Sequence, residues 1–316
     1  MKTIVHRKIR SHVLALGLVG AMVCPALSGS LEFLEKEHSF SAQLDNKVLW
    51  TCHHDPAEGK PYFHPLSSVD GTMFTDLRPG DHVWHRALWF SWKTVNGVNY
   101  WEEDSKTGKS QGETRMVSVK RAVSNEKQVR FDFVIEYAPA GSAAAVMKEN
   151  RCVKLSAPDE SGRYQIDWSS AFEALDKDVV LDRTPIPGQP DGQSYGGYAG
   201  LSLRMNGSVK QGTFLNSNGL AGEDANRKPA LWMIFDVPQG GNILLMDHPS
   251  NLNHPSPWYI FASMPFVSPA VIHEAPHTIK AGEVLKLKYR LVVGSGSITK
   301  DAADKEWQAW SQQDKS

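Results

Sequence analysis

Strict two-residue alternation of apolar and polar side chains, repeated in several separate stretches, limits this chain more than any other feature. In residues 130–137, Phe131, Phe133, Ile135 and Tyr137 share one face, and Arg130, Asp132 and Glu136 take the other. In 163–170, Tyr164, Ile166 and Trp168 alternate with Arg163, Gln165 and Asp167; in 285–292, Leu285, Leu287, Tyr289 and Leu291 alternate with Lys286, Lys288 and Arg290. Successive side chains of a strand point to opposite faces of its sheet, so each stretch reads as a strand with one buried face, as antiparallel sheets have. Further strands are expected over 48–53, 115–123, 179–182, 231–237 and 243–246. Asn96-Gly97 between two short apolar runs signals a tight hairpin. Helix is expected once, over 300–313, where Trp307 and Trp310 follow Asp301 and Asp304 at helical spacing. Many strands and one helix predict an all-β chain, a large antiparallel β-sandwich with a short C-terminal helix. The longest irregular stretches, 185–194 and 216–228, are polar loops of functional length.

The first 28 residues read as a cleavable signal peptide. They carry Lys2, Arg7, Lys8 and Arg10 but no acid, then an apolar run over 13–24, then small residues from Pro25 to Ser30. The run is shorter than the roughly 20 residues a bilayer span needs. Export to the periplasm or the medium is therefore expected, with one β-sandwich domain over 29–316. No later segment approaches span length, so no membrane span is expected in the mature chain. The chain has 34 basic and 35 acidic side chains, and loss of the four basic leader residues leaves a net charge of about −5. That balance argues against nucleic acid, which requires a clustered basic surface. Cys52 and Cys152 remain after processing. In an oxidising compartment they form either two buried thiols or a disulfide closing a loop of about 100 residues, worth up to ~4–5 kcal/mol.

Three clusters carry polar chemistry. The densest runs from Asp76 to Trp89 and holds Asp81, His82, His85 and Arg86 among aromatics, with Trp101, Glu102 and Glu103 just past the hairpin. The second, 247–258, contains His248, His254 and Trp258 with His-Pro steps that force extended or turn geometry. The third, Ser194 to Arg204, includes Tyr195 and a run of glycines that permits close backbone approach or positive φ. It lacks the Gly-Lys-Ser/Thr ending of a phosphate loop. His82 and His85 suit three roles: a general acid/base pair with Glu102, ligands of a divalent ion, or braces of a turn. His53, His54, His273 and His277 read as surface residues. Trp89 and Trp92 cannot face the same way, so one of them faces a cleft or a second sheet.

At these clusters the chain resembles the DUF6807 proteins, the "PmoA family" of secreted bacterial proteins often labelled methane oxygenases. The resemblance rests on Asp81-His82-x-x-His85-Arg86-x-x-Trp89, Asn96-Gly97-Val98, Trp101-Glu102, Gly196-Gly197-x-x-Gly200-x-x-x-Arg204, Asp247-His248-Pro249-x-Asn251 and His254-Pro255-x-Pro257-Trp258. It spans roughly residues 45–295. Where family members often have Asp-His-Pro-His-His, this chain has Val83-Trp84. The methane-oxygenase label implies an integral membrane protein, a character this pattern of residues does not supply. The family's strand pattern is similar to the galactose-mutarotase-like supersandwich, whose sugar enzymes use a His and a carboxylate in an aromatic-lined cleft.

Residues and resemblance together predict an exported carbohydrate-active protein, an epimerase, hydrolase or lyase acting on a sugar without need of a cofactor. His82, His85, Glu102 and His254 are its expected catalytic residues. Asp81, Arg86, Trp89, Trp101, Tyr195, Arg204, His248 and Trp258 are its expected substrate contacts. A non-catalytic glycan-binding module and a metal-dependent enzyme are the alternatives. The residue pattern leaves the choice among the three open.

Overall fold

The alternating stretches form long antiparallel strands. In a computed structural model, which describes residues 30–124 and 127–313, Gln128–Pro139 and Tyr164–Ala174 bury alternate residues along most of their length, and Val284–Gly294 does so as far as Tyr289, beyond which both its faces are buried. The expected signal peptide lies outside the described residues. These three strands belong to an eight-stranded antiparallel sheet with Gly112–Ser124 at one edge and Thr213–Asn216 at the other. A nine-stranded sheet runs from Leu31–Lys36 to Lys228–Pro229, with Leu88–Ser91 and Gly200–Arg204 paired at its centre. A smaller four-stranded sheet includes the hairpin of Thr94–Val95 and Val98–Asn99. Asn96 and Gly97 both take positive φ (52° and 77°), as a type I′ turn demands.

The two large sheets face each other through aromatic rings. Trp50 meets Phe131 at 6.3 Å, Phe63 meets Trp168 at 6.1 Å and Phe90 meets Phe172 at 5.0 Å. The first ring of each pair comes from the nine-stranded sheet and the second from the eight-stranded one, so the architecture is the expected β-sandwich. Each such pair adds about 0.5–1.5 kcal/mol beyond its buried area. The helix Lys300–Ser311 is capped by Thr299, whose hydroxyl accepts from Ala302 N at 3.3 Å. Its Ala303 and Trp310 cover the outer face of the eight-stranded sheet at Trp232, Ile234, Leu244 and Met246.

Polar alternation hides one central strand, Met147–Ser156. Its inward face reads Met147, Glu149, Arg151, Val153 and Leu155, so two charges enter the space between the sheets. Arg151 Nε and Nη2 donate to Glu149 at 2.7 and 2.9 Å, while Tyr137 and Ser170 hydroxyls donate at 2.7 and 2.6 Å. The Arg151 guanidinium lies 4.8 Å from the Trp168 ring centre. A buried ion pair of this kind is retained because its oxygens and most of its donors are satisfied.

The same alternation corrects the disulfide alternative. Cys152 lies between inward Arg151 and Val153 and so takes the outer face, whereas Cys52 is buried in the core of the opposite sheet. Both are free thiols. Burial pushes the Cys52 thiol up, beyond the range in which a thiolate forms.

Candidate functional site

The outer face of the nine-stranded sheet carries a second aromatic cluster, separate from the core. Trp89 belongs to it with Tyr62, Trp101, Tyr259 and Phe266, while Phe90 and Trp92 point into the sandwich. Trp89 and Trp92 therefore do face opposite ways, as the odd separation of three requires.

Two turns fold the 76–87 segment over this cluster. Arg78 N donates to His85 O, His82 N to Pro79 O and His85 N to His82 O, each at 2.9 Å. Positive φ at Arg78 and Ala87 (51° and 61°) closes the ends of the loop. Beneath it, Arg78 and Arg86 clamp Glu103 at 2.8 and 2.7 Å, and both also contact Glu58. Lys60 is buried behind this group and donates to Tyr100 O; burial first, then the charge of Arg86, lowers its pKa to about 7.

The loop and the cluster together wall a cleft of about 660 Å³. Asp81, His82, His85, Trp101, Glu102 and Tyr195, all expected at a site, line it. Arg204 stands behind Asp81, its Nη2 donating to both carboxylate oxygens at 3.0 and 2.9 Å. Burial raises the Asp81 carboxyl, but the hydrogen-bonded Arg204 guanidinium, with His82 close beside it, holds it below the usual range. His82 Nδ1 lies 3.1 Å from Asp81 Oδ2, in ion-pair contact but not aligned as a hydrogen bond. The rings of His82 and His85 stack at 4.6 Å.

His85 forms part of the floor, packed between Trp89 and Phe266 at 5.2 Å from each. Burial, then the nearby charges of His82 and Arg204, drives its pKa to about 3. It stays neutral near pH 7, which corrects its expected role as a titrating acid/base. Glu102 behaves differently. Burial raises its carboxyl, yet Lys93 beside it and hydrogen bonds from Lys93, Asn99 and Tyr198 hold it below the usual carboxylate range. Asn99 Nδ2 donates at 2.7 Å and Tyr198 Oη at 2.9 Å. The result is an ionised carboxylate at the edge of an apolar cleft, available as a base or as an acceptor for hydroxyls.

Other expectations fail on position. Trp89 and Trp101 are 1% and 2% exposed, so they form floor, not a platform for a ligand ring. Trp258 is fully buried and donates to Ala230 O at 2.8 Å. Arg86 spends its guanidinium on Glu58 and Glu103 under the loop. His248 packs edge-on against Trp310 at 5.0 Å, and His254 pairs with Asp247 near the C-terminal helix; neither lines this cleft. Strand Gly241–Asp247 belongs to the eight-stranded sheet, which carries that motif away from the 81–85 loop.

Sequence reasoning missed Trp84, Tyr198, Tyr259, Phe261 and Phe266, which complete the wall. The pairing of Arg204 with Phe266 and of Trp258 with Pro269 brings them there. Tyr259 and Phe261 carried a usable signal, since they sit two apart on one strand. Tyr195 and Tyr198 arrive on the 185–198 loop. Gly197 N donates to Thr184 O at 3.0 Å, and a Cβ on Gly196 would meet Pro185 O at 2.0 Å. Gly197 has φ +102° and a Cβ there would lie 2.2 Å from His273 Nδ1. His273 is thus a buried brace of this loop, contrary to the surface position expected. Among the described residues, no group of three His, Cys, Asp or Glu is placed to hold a metal ion.

A family model described as a family of unknown function (DUF6807) matches residues 39–308. No curated protein matches the chain.

Proposed function

This chain belongs to the DUF6807 family, and we propose that it is an exported carbohydrate-active protein whose outer-face cleft performs acid/base chemistry on a sugar. One observation carries the reading: ionised Glu102 and the Asp81–His82 pair share a single cleft with aromatic walls. A pyranose presents apolar C–H faces to rings and hydroxyls to acceptors, and this cleft offers both. Tyr195 and Phe261, 51% and 41% exposed, and the half-buried Trp84 supply the faces a sugar would stack on. His82 serves as acid/base, oriented by Asp81, which Arg204 holds in place. Glu102 is the second carboxylate. His85 supports His82 by stacking, and Trp89 and Trp101 form the floor. Export rests on the leader-like residues 1–28.

The glycan-binding alternative has its own supporting observation. Glu102 already accepts from Lys93, Asn99 and Tyr198, an arrangement that suits a fixed acceptor as well as a base. One experiment separates the two. The native protein, His82→Ala and Glu102→Gln are incubated with a polysaccharide panel of starch, cellulose, xylan, mannan, pectin and alginate, scoring reducing ends, unsaturated products and retention on the polymer. Loss of about 10²–10⁴-fold in turnover in either variant, with melting temperature kept, supports catalysis. Retention without any product supports the binding module. Neither retention nor product on any polymer overturns the carbohydrate reading.

A further inference from the structure

A second cleft, of about 470 Å³, lies beside the first. Strand Pro257–Phe261 links them. Trp258 and Ile260 point into the core, so Pro257, Tyr259 and Phe261 share the outer face. Tyr259 and Phe261 line the first cleft, and Pro257 lines the second with Pro229, Pro255 and His254. Four residues of strand span about 13 Å, so the two hollows adjoin along one surface. Arg227 sits at the junction: its guanidinium donates to Ser194 O on the lip of the first cleft, and Pro229 two residues on lines the second.

The polar group of the second cleft is built, not incidental. Asp247, fully buried, accepts from Asn251 Nδ2 at 2.7 Å and from Ser256 N at 2.9 Å. Its Oδ2 also lies 3.0 Å from His254 Nδ1. A carboxylate that accepts only requires Nδ1 to carry the hydrogen, which leaves Nε2 of the neutral ring as an acceptor. The His254 ring lies parallel to Trp307, centroids 6.0 Å apart, and Trp307 Nε1 donates to Asp247 O at 2.9 Å. The imidazole is thereby held in one orientation and one tautomer. Among the described residues nothing binds its Nε2. A fixed acceptor in a proline-walled hollow matches a hydroxyl set against an apolar ring face.

We infer that the His254 cleft is a distal subsite of the same saccharide site, so that the ligand is an oligosaccharide or polysaccharide chain lying across both hollows. The inference rests on the carbohydrate reading of the first cleft and adds chain length to it. Arg227 then contacts the linkage between the two parts of the chain.

The test uses the polysaccharide of the panel that binds best, cut into a series from monosaccharide to hexasaccharide. Affinities are measured by calorimetry for the native protein, His254→Ala and Ala275→Leu. The last substitution narrows the second cleft from an exposed position and leaves the Asp247–His254 pair untouched. Native affinity should rise with length beyond the shortest ligand that fills the first cleft. Both variants should lose about tenfold on the longest ligands, the worth of one hydrogen bond with its packing, and nothing on the shortest. Length dependence that survives in Ala275→Leu overturns the subsite while leaving the first cleft's reading intact. Failure of native protein to bind any member overturns the first reading, and the subsite falls with it.

Discussion

Glu149 and Glu102 are wired alike and differ in access. Glu149 takes hydrogen bonds from Arg151, Tyr137 and Ser170; Glu102 takes them from Lys93, Asn99 and Tyr198. The Glu149 side chain is 0% exposed between the two sheets, whereas that of Glu102 is 28% exposed at the edge of a cleft. A dry carboxylate with every oxygen occupied can only hold the fold together. A carboxylate with equal support and an open side can hold a ligand, because its orientation is already set before the ligand arrives. The contrast extends to the faces of the nine-stranded sheet: Trp92 packs on Phe172 inside the sandwich, and Trp89 floors a cleft outside it.

The largest effect expected from breaking this contrast lies in the interior. Glu149→Ala leaves Arg151 buried and unpaired and should cost about 3–5 kcal/mol in denaturant unfolding. A loss under about 1 kcal/mol would show that the interior pair adds little, against the rule for orphaned buried charges. Next comes the outer face. Gly197→Ala forces a side chain into a positive-φ site and against His273, which should cost about 1–3 kcal/mol and displace Tyr198 from Glu102. Stability measured by thermal melting, read beside saccharide affinity, should fall in both; unchanged affinity would mean that the loop does not position the cleft.

The most gradual effect is a pH slope. Folded His85 resists protonation down to about pH 3, whereas an unfolded histidine takes a proton near its ordinary value of 6.5. Between those limits the unfolded chain binds more protons, so stability rises with pH and is lost as pH falls. The slope from this one residue is at most about 1.4 kcal/mol per pH unit. Unfolding titrations of the native protein and His85→Phe from pH 6.5 down to 4 should diverge, the variant losing less. Parallel curves would place the acid sensitivity elsewhere.

Much of the architecture was legible along the chain. The strands over 128–139, 164–174 and 284–294, the Asn96-Gly97 turn and the C-terminal helix all follow from local periodicity and turn chemistry. Strand Met147–Ser156 was not legible, because Glu149 and Arg151 occupy its buried face and erase the apolar alternation. Strands Leu88–Ser91 and Pro257–Phe261 are apolar on both faces, so periodicity alone could not tell core from cleft. At the site, the density of acids and histidines in 81–85 and Glu102 pointed to the right hollow. The 247–258 motif marks the adjoining hollow instead, since strand Gly241–Asp247 ends in the other sheet.

The sequence by itself determined that this chain makes antiparallel strands, where most of those in the eight-stranded sheet run, and which short segments concentrate polar chemistry. Those properties are local: period, turn residues and composition act over a few positions. Tertiary structure alone decided which faces meet, that Cys52 and Cys152 stay apart, that His85 is a neutral floor residue, and that Tyr198, Tyr259 and Phe266 complete the cleft. Each of those depends on strand partners far apart in the chain, and on the burial that partnering brings. Exposure is what separates Glu102 from Glu149, and exposure is a property of the assembled sheets.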